Sequence, residues 1–270
     1  MLSITQFVAT LCLVGSSAVV VESVSAKTRP QNAIEGVWKV DASTVAFEGR
    51  LDELLLKDGT YSCISCTPSY TFPADGVLHP VSAPFYDAVS VRAINDHKVE
   101  RIFSKNGKQT SVNTLIVSPD DQNLTYEFSD SPTVAGAPAK KGVYFETRVG
   151  SPVPAAHVLS GQWKRSRATA NNASFTMTFH LEGDRLRRIK PNGQFYDAKL
   201  DGSSAPIMGD SEGTTVSVTR LGENSFQEMD SRQGKVTDVV TFTVDSNDVL
   251  QIMQKSELTG ATAKYTAARQ

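Results

Sequence analysis

Cys63, Ile64, Ser65 and Cys66 place two cysteines at the spacing of a thiol redox pair. In that chemistry a helix N-terminus lowers the pKa of the first thiol. Here Gly59, Thr60 and Tyr61 precede the pair and Thr67 and Pro68 follow it, which are strand and turn residues rather than a helix start. A zinc half-site is the other chemistry open to this spacing, but it needs two more ligands. The four histidines, His79, His97, His157 and His180, are dispersed, and there is no second cysteine pair. In an exported chain an even pair is most simply a disulfide, so Cys63 and Cys66 are expected to staple a local loop. No Ser-His-Asp order, phosphate loop or paired-histidine motif occurs. The expectation is a non-enzymatic protein with no metal and no cofactor.

A basic cluster is the second feature with chemical potential. Lys164, Arg165, Arg167, Arg185, Arg187, Arg188 and Lys190 are opposed locally only by Glu182 and Asp184. If the strand opened by Trp163 neighbours the one carrying Leu186, then Arg165, Arg167, Arg185, Arg187 and Arg188 share a rim. Such a rim would attract an anionic head group, a phosphate or an acidic polymer; the alternative is a solvated strand face. Trp38 and Trp163 either stack on a ligand or seal a barrel end with the indole N–H satisfied by backbone. Asp75, Asp120, Asp201 and Asp248 sit in turn contexts, where carboxylates cap local N–H groups. Asn123 and Asn172 open glycosylation sequons that matter only in a glycosylating host.

The elements that must position these groups come in two copies. Gly36, Val37, Trp38 recurs as Gly161, Gln162, Trp163, and Tyr70, Asp75, Gly76, Pro80 recurs as Tyr196, Asp201, Gly202, Pro206. Val89 to Asp121 laid ungapped over Val216 to Asp248 matches at eleven of 33 positions, too many for chance at one fixed offset. The repeat is far longer than a solenoid unit and long enough to bury its own core. Two domains are therefore expected, 31–149 and 157–270, joined by a short linker over Gly150 to Ala156. The tetrapeptides at Phe85 to Ala88 and Phe195 to Ala198 are identical but lie out of this register, and are expected in different strands.

Strand alternation dominates both copies. Val89, Val91 and Ala93 alternate with polar neighbours, Val99 to Ser104 follows, and Asn106-Gly107 gives a strong hairpin signal before Val112, Thr114 and Ile116. Leu124, Tyr126 and Phe128 complete the meander. The second copy repeats it through Val216, Phe226, Gln233-Gly234, Val236 to Val244 and Leu250, with Phe175, Met177 and Phe179 upstream. Ser131 to Lys141 is expected as a long loop. Regular short strands with tight turns predict a sandwich or barrel, and seven or eight per copy would close a small barrel.

Composition narrows the partners. A formal net charge of −2 from 27 basic and 29 acidic residues argues against nucleic acid, whose phosphates demand a basic footprint. Ile4 to Val21 is apolar and nearly uncharged, and Val24, Ser25, Ala26 before Lys27 form a small-residue cleavage pattern. Residues 1–26 are read as a signal peptide, leaving no transmembrane segment after cleavage; an uncleaved anchor is the rival reading.

The Gly-x-Trp openings at Gly36 to Trp38 and Gly161 to Trp163 resemble the start of the first strand in lipocalins. More broadly, the sequence is similar to small exported bacterial proteins of poorly known function that carry Asp-Gly, Pro-Val, Tyr-Asp with alternating Val, Asn-Gly-Lys and Ser-x-Asp. Those residues are Asp75, Gly76, Pro80, Val81, Tyr86, Asp87, Val89, Val91, Asn106, Gly107, Lys108, Ser118 and Asp120 in copy one. Copy two keeps Asp201, Gly202, Pro206, Val216, Val218, Gly234 and Lys235. The resemblance implies two tandem all-β, small antiparallel β-barrel (lipocalin-like) domains, exported to a periplasmic or extracellular site, with a cavity or open barrel face. Such a barrel would bind a small apolar or amphipathic molecule, and Tyr70, Phe72, Tyr126, Phe128, Phe175, Phe179, Tyr196 and Phe242 are the wall candidates by residue type. The alternative is an envelope-associated protein-interaction module with filled barrels.

Overall fold

The computed structural model describes residues 33–270 apart from 50, 133, 135, 137, 138, 171–174 and 211. The expected leader over residues 1–26 and the sequon at Asn172 lie outside the described residues. Among these there is no α-helix, and none therefore long and apolar enough to cross a membrane.

The strands are β1 (Gly36–Glu48), β2 (Asp52–Lys57), β3 (Thr60–Cys63), β4 (Tyr70–Pro73), β5 (His79–Pro80), β6 (Ala88–Asn95), β7 (Lys98–Lys105), β8 (Lys108–Val117), β9 (Asn123–Asp130) and β10 (Lys140–Val149). They continue as β11 (Gly161–Ala170), β12 (Thr176–Glu182), β13 (Arg185–Ile189), β14 (Phe195–Lys199), β15 (Asp201–Pro206), β16 (Thr215–Gly222), β17 (Ser225–Arg232), β18 (Lys235–Val244), β19 (Val249–Ser256) and β20 (Thr262–Arg269). They form two ten-stranded antiparallel sheets, each curled into a nearly closed barrel. The isolated bridges Asp75↔Arg92 and Phe195↔Met208 draw the edges of each sheet together, which hides the unpaired backbone that an open edge would expose. Ten strands exceed the expected seven or eight because short pieces such as β3, β4 and β5 pair as separate strands.

The tight turns obey local chemistry. Asn106-Gly107 and Gln233-Gly234 adopt paired left-handed conformations, with φ of 51° and 72° in the first and 50° and 76° in the second. That is the primed turn whose twist matches a two-residue hairpin, and it fixes the pairs Lys105↔Lys108 and Arg232↔Lys235. Once register is set, the period of two puts Val216, Val218, Phe226, Val240, Phe242 and Val244 inside one barrel and Val89, Val91, Val99, Leu115 and Val117 inside the other. Tyr86 lies in the loop before β6 and Tyr196 in β14, so the two identical tetrapeptides occupy different environments.

The sheets cut across the repeat boundaries. The first barrel is β2 through β11, and the second is β1 with β12 through β20. Each copy's opening strand thus lies in the other copy's sheet: β11 pairs with β2 and β10, while β1 pairs with β12 and β20. The units 31–149 and 157–270 describe the duplication in sequence but not the strand content of either barrel. The geometry gives a reason. A 13-residue β1 extends about 43 Å at roughly 3.3 Å per residue, enough to run from the second barrel to the first without turning back. Phe47 near its end meets Tyr144 of β10 edge-on, with ring centroids 5.7 Å apart. Gly150 to Ala156, expected to link domains, instead joins β10 to its antiparallel partner β11 within one sheet.

Candidate functional site

One end of each barrel is sealed by the same device. Trp38 and Trp163 are fully buried and donate their indole N–H to the carbonyls of Ile34 and Leu159, each at 2.8 Å. The guanidinium of Arg269 lies 4.2 Å from the Trp38 ring centroid, and that of Arg148 lies 4.1 Å from the Trp163 ring centroid. Arg148 also donates to the carbonyls of Asp121, Val158 and Ser160, and Arg269 to those of Ala33 and Glu35 and to the Asp248 carboxylate. These cations thus satisfy carbonyls that the strand ends leave unpaired. The glycine of each Gly-x-Trp follows from this packing. Gly36 and Gly161 have φ of 120° and 131°, and a Cβ there would stand 2.9 Å from Arg269 and 2.7 Å from Arg148. Both tryptophans therefore seal rather than stack on a ligand, each in the barrel of the other copy.

The opposite ends are open. At the mouth of the second barrel is a cavity of about 340 Å³, walled by Phe47, Phe128, Tyr144, Phe175, Met177 and Tyr265, with contributions from both sheets. Lys140 Nζ stands 5.6 Å from the Phe128 ring and 5.7 Å from that of Phe175. The floor is ionic. Glu228, buried on β17, accepts from Arg188 Nη1 at 2.6 Å and Tyr196 Oη at 2.7 Å, and pairs with Lys190 at 3.1 Å. Lys190 also reaches Asp230 at 2.7 Å. Burial alone would raise the Glu228 pKa, but Arg188, then Lys190 and the Tyr196 hydroxyl, hold it down at about 2. Burial, then the Glu228 charge, pushes Asp230 up to about 6. Asp238, directly across from Asp230 on the neighbouring strand, and Lys140 also line the cavity, so its charged lining comprises three carboxylates and three cations.

The mouth of the first barrel holds a cavity of about 290 Å³ lined by Leu54, Tyr86, Phe103, Leu124, Tyr126 and the Cys63–Cys66 disulfide, with Leu258 reaching in from the second barrel. Cys63 ends β3 and Cys66 lies in the turn beyond, so the sulfurs are spent in a structural bridge on a strand, not poised at a helix start. Arg165 spans Asp52 at 2.9 Å and Glu146 at 3.1 Å. Burial, then the neighbouring Asp52 charge, raises Glu146 to about 8 despite Arg165. Glu146 therefore keeps its proton at neutral pH. Arg101, also buried, lines this cavity.

The expected wall residues divide. Phe128 and Phe175 line the larger cavity and Tyr126 the smaller. Tyr70 and Phe72 stack 5.0 Å apart within the first core, while Phe179 and Phe242 meet 5.2 Å apart beside Tyr196 in the second. The expected basic rim is not formed, because β11 and β13 belong to different sheets. Arg165 serves the first barrel and Arg188 the second; Arg167 lies over Phe145, Arg187 over Phe195, and Arg185 pairs with Asp197 on the surface. Asp75, Asp120 and Asp201 cap the N–H groups of Val77, Gln122 and Ser203 as expected of turn carboxylates, whereas Asp248 pairs with Arg269. Arg101, Glu146 and Glu228 were not among the sequence candidates. The signal existed: Arg101 falls in phase with Val99 and Phe103, and Glu228 with Phe226, at inward positions of an alternating strand. No protein-family model matches the chain, and no curated protein matches it.

Proposed function

We propose that this chain is an exported, non-enzymatic binding protein that holds a small apolar or amphipathic molecule at a barrel mouth. The observation that carries the reading is the cavity of about 340 Å³ whose walls are aromatic and aliphatic side chains over a charged floor. That combination of apolar wall and few convergent polar groups is what small-molecule sites share, at the small end of their usual range of about 300–1,000 Å³. The opposite end of each barrel is plugged by tryptophan and arginine, so a ligand has one entrance and a closed end to press against. The apolar run Ile4 to Val21 followed by Val24, Ser25 and Ala26 is the sequence pattern that supports export.

The test is native mass spectrometry of the mature protein purified gently from its own host, followed by denaturing extraction of what accompanies it. A stoichiometric added mass, absent from an Ala168→Trp variant that fills the larger cavity, supports the reading. A clean apo mass, unchanged after incubation with host lipid extract, overturns it.

A further inference from the structure

The repeat supplies an internal control at its most buried charged position. Arg101 of β7 and Glu228 of β17 are equivalent: Arg101 faces Val91 and Asn113 across its strand, Glu228 faces Val218 and Val240, and both sit on the inner surface of their barrels. Glu228 is matched by two cations and a phenol. Arg101 is not matched. It is 5% exposed, its Nη1 donates to Tyr61 Oη at 3.0 Å, and its guanidinium lies 5.1 Å from the Tyr126 ring and 5.5 Å from that of Phe103. Its Nε is buried with no hydrogen-bond partner, as are Arg188 Nε in the other barrel and the hydroxyl of nearby Tyr70, whose ring lies 6.3 Å from that of Tyr61; what sets Arg101 apart is the missing carboxylate. Among the described residues no carboxylate pairs with it; the two acids at this mouth, Asp52 and Glu146, are held by Arg165 instead.

A buried cation without a counter-charge is costly, and a cavity of about 290 Å³ opens beside this one. We propose that the first barrel takes a small organic monocarboxylate, with Arg101 clamping its head and Tyr86, Phe103 and Tyr126 receiving its apolar body. The proposal deepens the binding reading above and rests on it. The carboxylate is favoured over a phosphate on two grounds. Among the described residues Arg101 is the cation of this cavity that no carboxylate meets, so a ligand carboxylate would supply the partner that Arg188 and Lys190 find within their own barrel. The planar guanidinium fork also matches a planar carboxylate, and the aromatic walls suit an apolar tail rather than a hydrated dianion.

The experiment is calorimetric titration of the full mature chain, stripped of bound small molecules, with octanoate, octan-1-ol and octylamine. Octanoate is expected to bind at least tenfold more tightly than octan-1-ol, with octylamine weakest. Arg101→Met should erase the octanoate advantage, bringing its affinity to that of octan-1-ol, and Arg101→Lys, which keeps the charge but not the fork, should weaken octanoate severalfold if the methionine variant does not fold. Equal affinity for octanoate and octan-1-ol, or an octanoate affinity indifferent to both variants, overturns the carboxylate clamp and leaves the binding reading standing. Absence of binding by all three overturns the clamp; the binding reading then depends on whether host-derived mass is found in the second barrel.

Discussion

Replacing Glu228 by glutamine isolates the energetic role of the ionic floor. The amide keeps the shape of the carboxylate and can still accept from Tyr196 Oη, now 2.7 Å away. Its charge is gone: the same oxygen still accepts from Arg188 Nη1, but Arg188, whose side chain is 9% exposed, loses the negative charge it meets at 2.6 Å. Lys190 keeps Asp230 at 2.7 Å, so the uncompensated ion is Arg188 alone. Breaking one side of a buried pair typically costs about 3–5 kcal/mol, and the surviving Lys190–Asp230 contact places this case near the lower end, about 3 kcal/mol. Urea unfolding followed by circular dichroism reads the loss directly. Arg188→Met in the Glu228→Gln background removes the stranded cation, and is expected to return stability to within about 1 kcal/mol of the parent, since replacing both ions is often nearly neutral. The acid limb gives an independent reading. Glu228 titrates at about 2 in the folded chain against an ordinary 4.5, so its contribution is present above pH 4.5 and fades as pH falls toward 2. Glu228→Gln should flatten that limb. A single-variant loss below about 1 kcal/mol, or a double variant no more stable than the single one, would refute the reasoning.

Three further outcomes follow from other parts of the molecule. Glu146 holds its proton up to about pH 8 when folded, so folding there is favoured at low pH and loses stability as pH rises from about 4.5 to 8; Glu146→Gln should flatten the urea midpoint over that window, and an unchanged slope would count against a protonated carboxyl. Cysteines placed at Val37 and Thr178, partners across β1 and β12, should form an intrachain disulfide detectable by non-reducing peptide mapping; failure to form it under oxidation would contradict the strand exchange. Gly161→Ala sets a Cβ 2.7 Å from Arg148 at φ of 131° and is expected to cost about 1–3 kcal/mol in urea unfolding, whereas Gly107→Ala, with open space at φ of 72°, should cost about 1 kcal/mol; equal losses would remove the special role assigned to the Gly-x-Trp glycine.

By itself the sequence determined the all-β class, the duplication, the hairpins at Asn106-Gly107 and Gln233-Gly234, and the bridge between Cys63 and Cys66. The first three rest on local physics, a period of two and turn residues that tolerate positive φ, and the bridge is expected from an even cysteine pair in a chain read as exported. It also held the Gly-x-Trp openings, though not their reason, because Arg148 and Arg269 arrive from strands more than a hundred residues from Trp38 or across a loop from Trp163. Only the tertiary structure decided which barrel each opening strand completes. Pairing between equivalent strands of two similar copies satisfies the same backbone groups either way, and a strand that runs straight on from one barrel to the next leaves no mark in composition. The same crossing split the basic cluster, separating Arg165 from Arg188, and brought Phe47 to Tyr144. Arg101 and Glu228 show the boundary most sharply. Their inward phase is visible in the alternation of β7 and β17, but whether a buried charge is answered depends on residues 40 positions distant, Tyr61 for one and Arg188 for the other, and those meet only when the sheet curls.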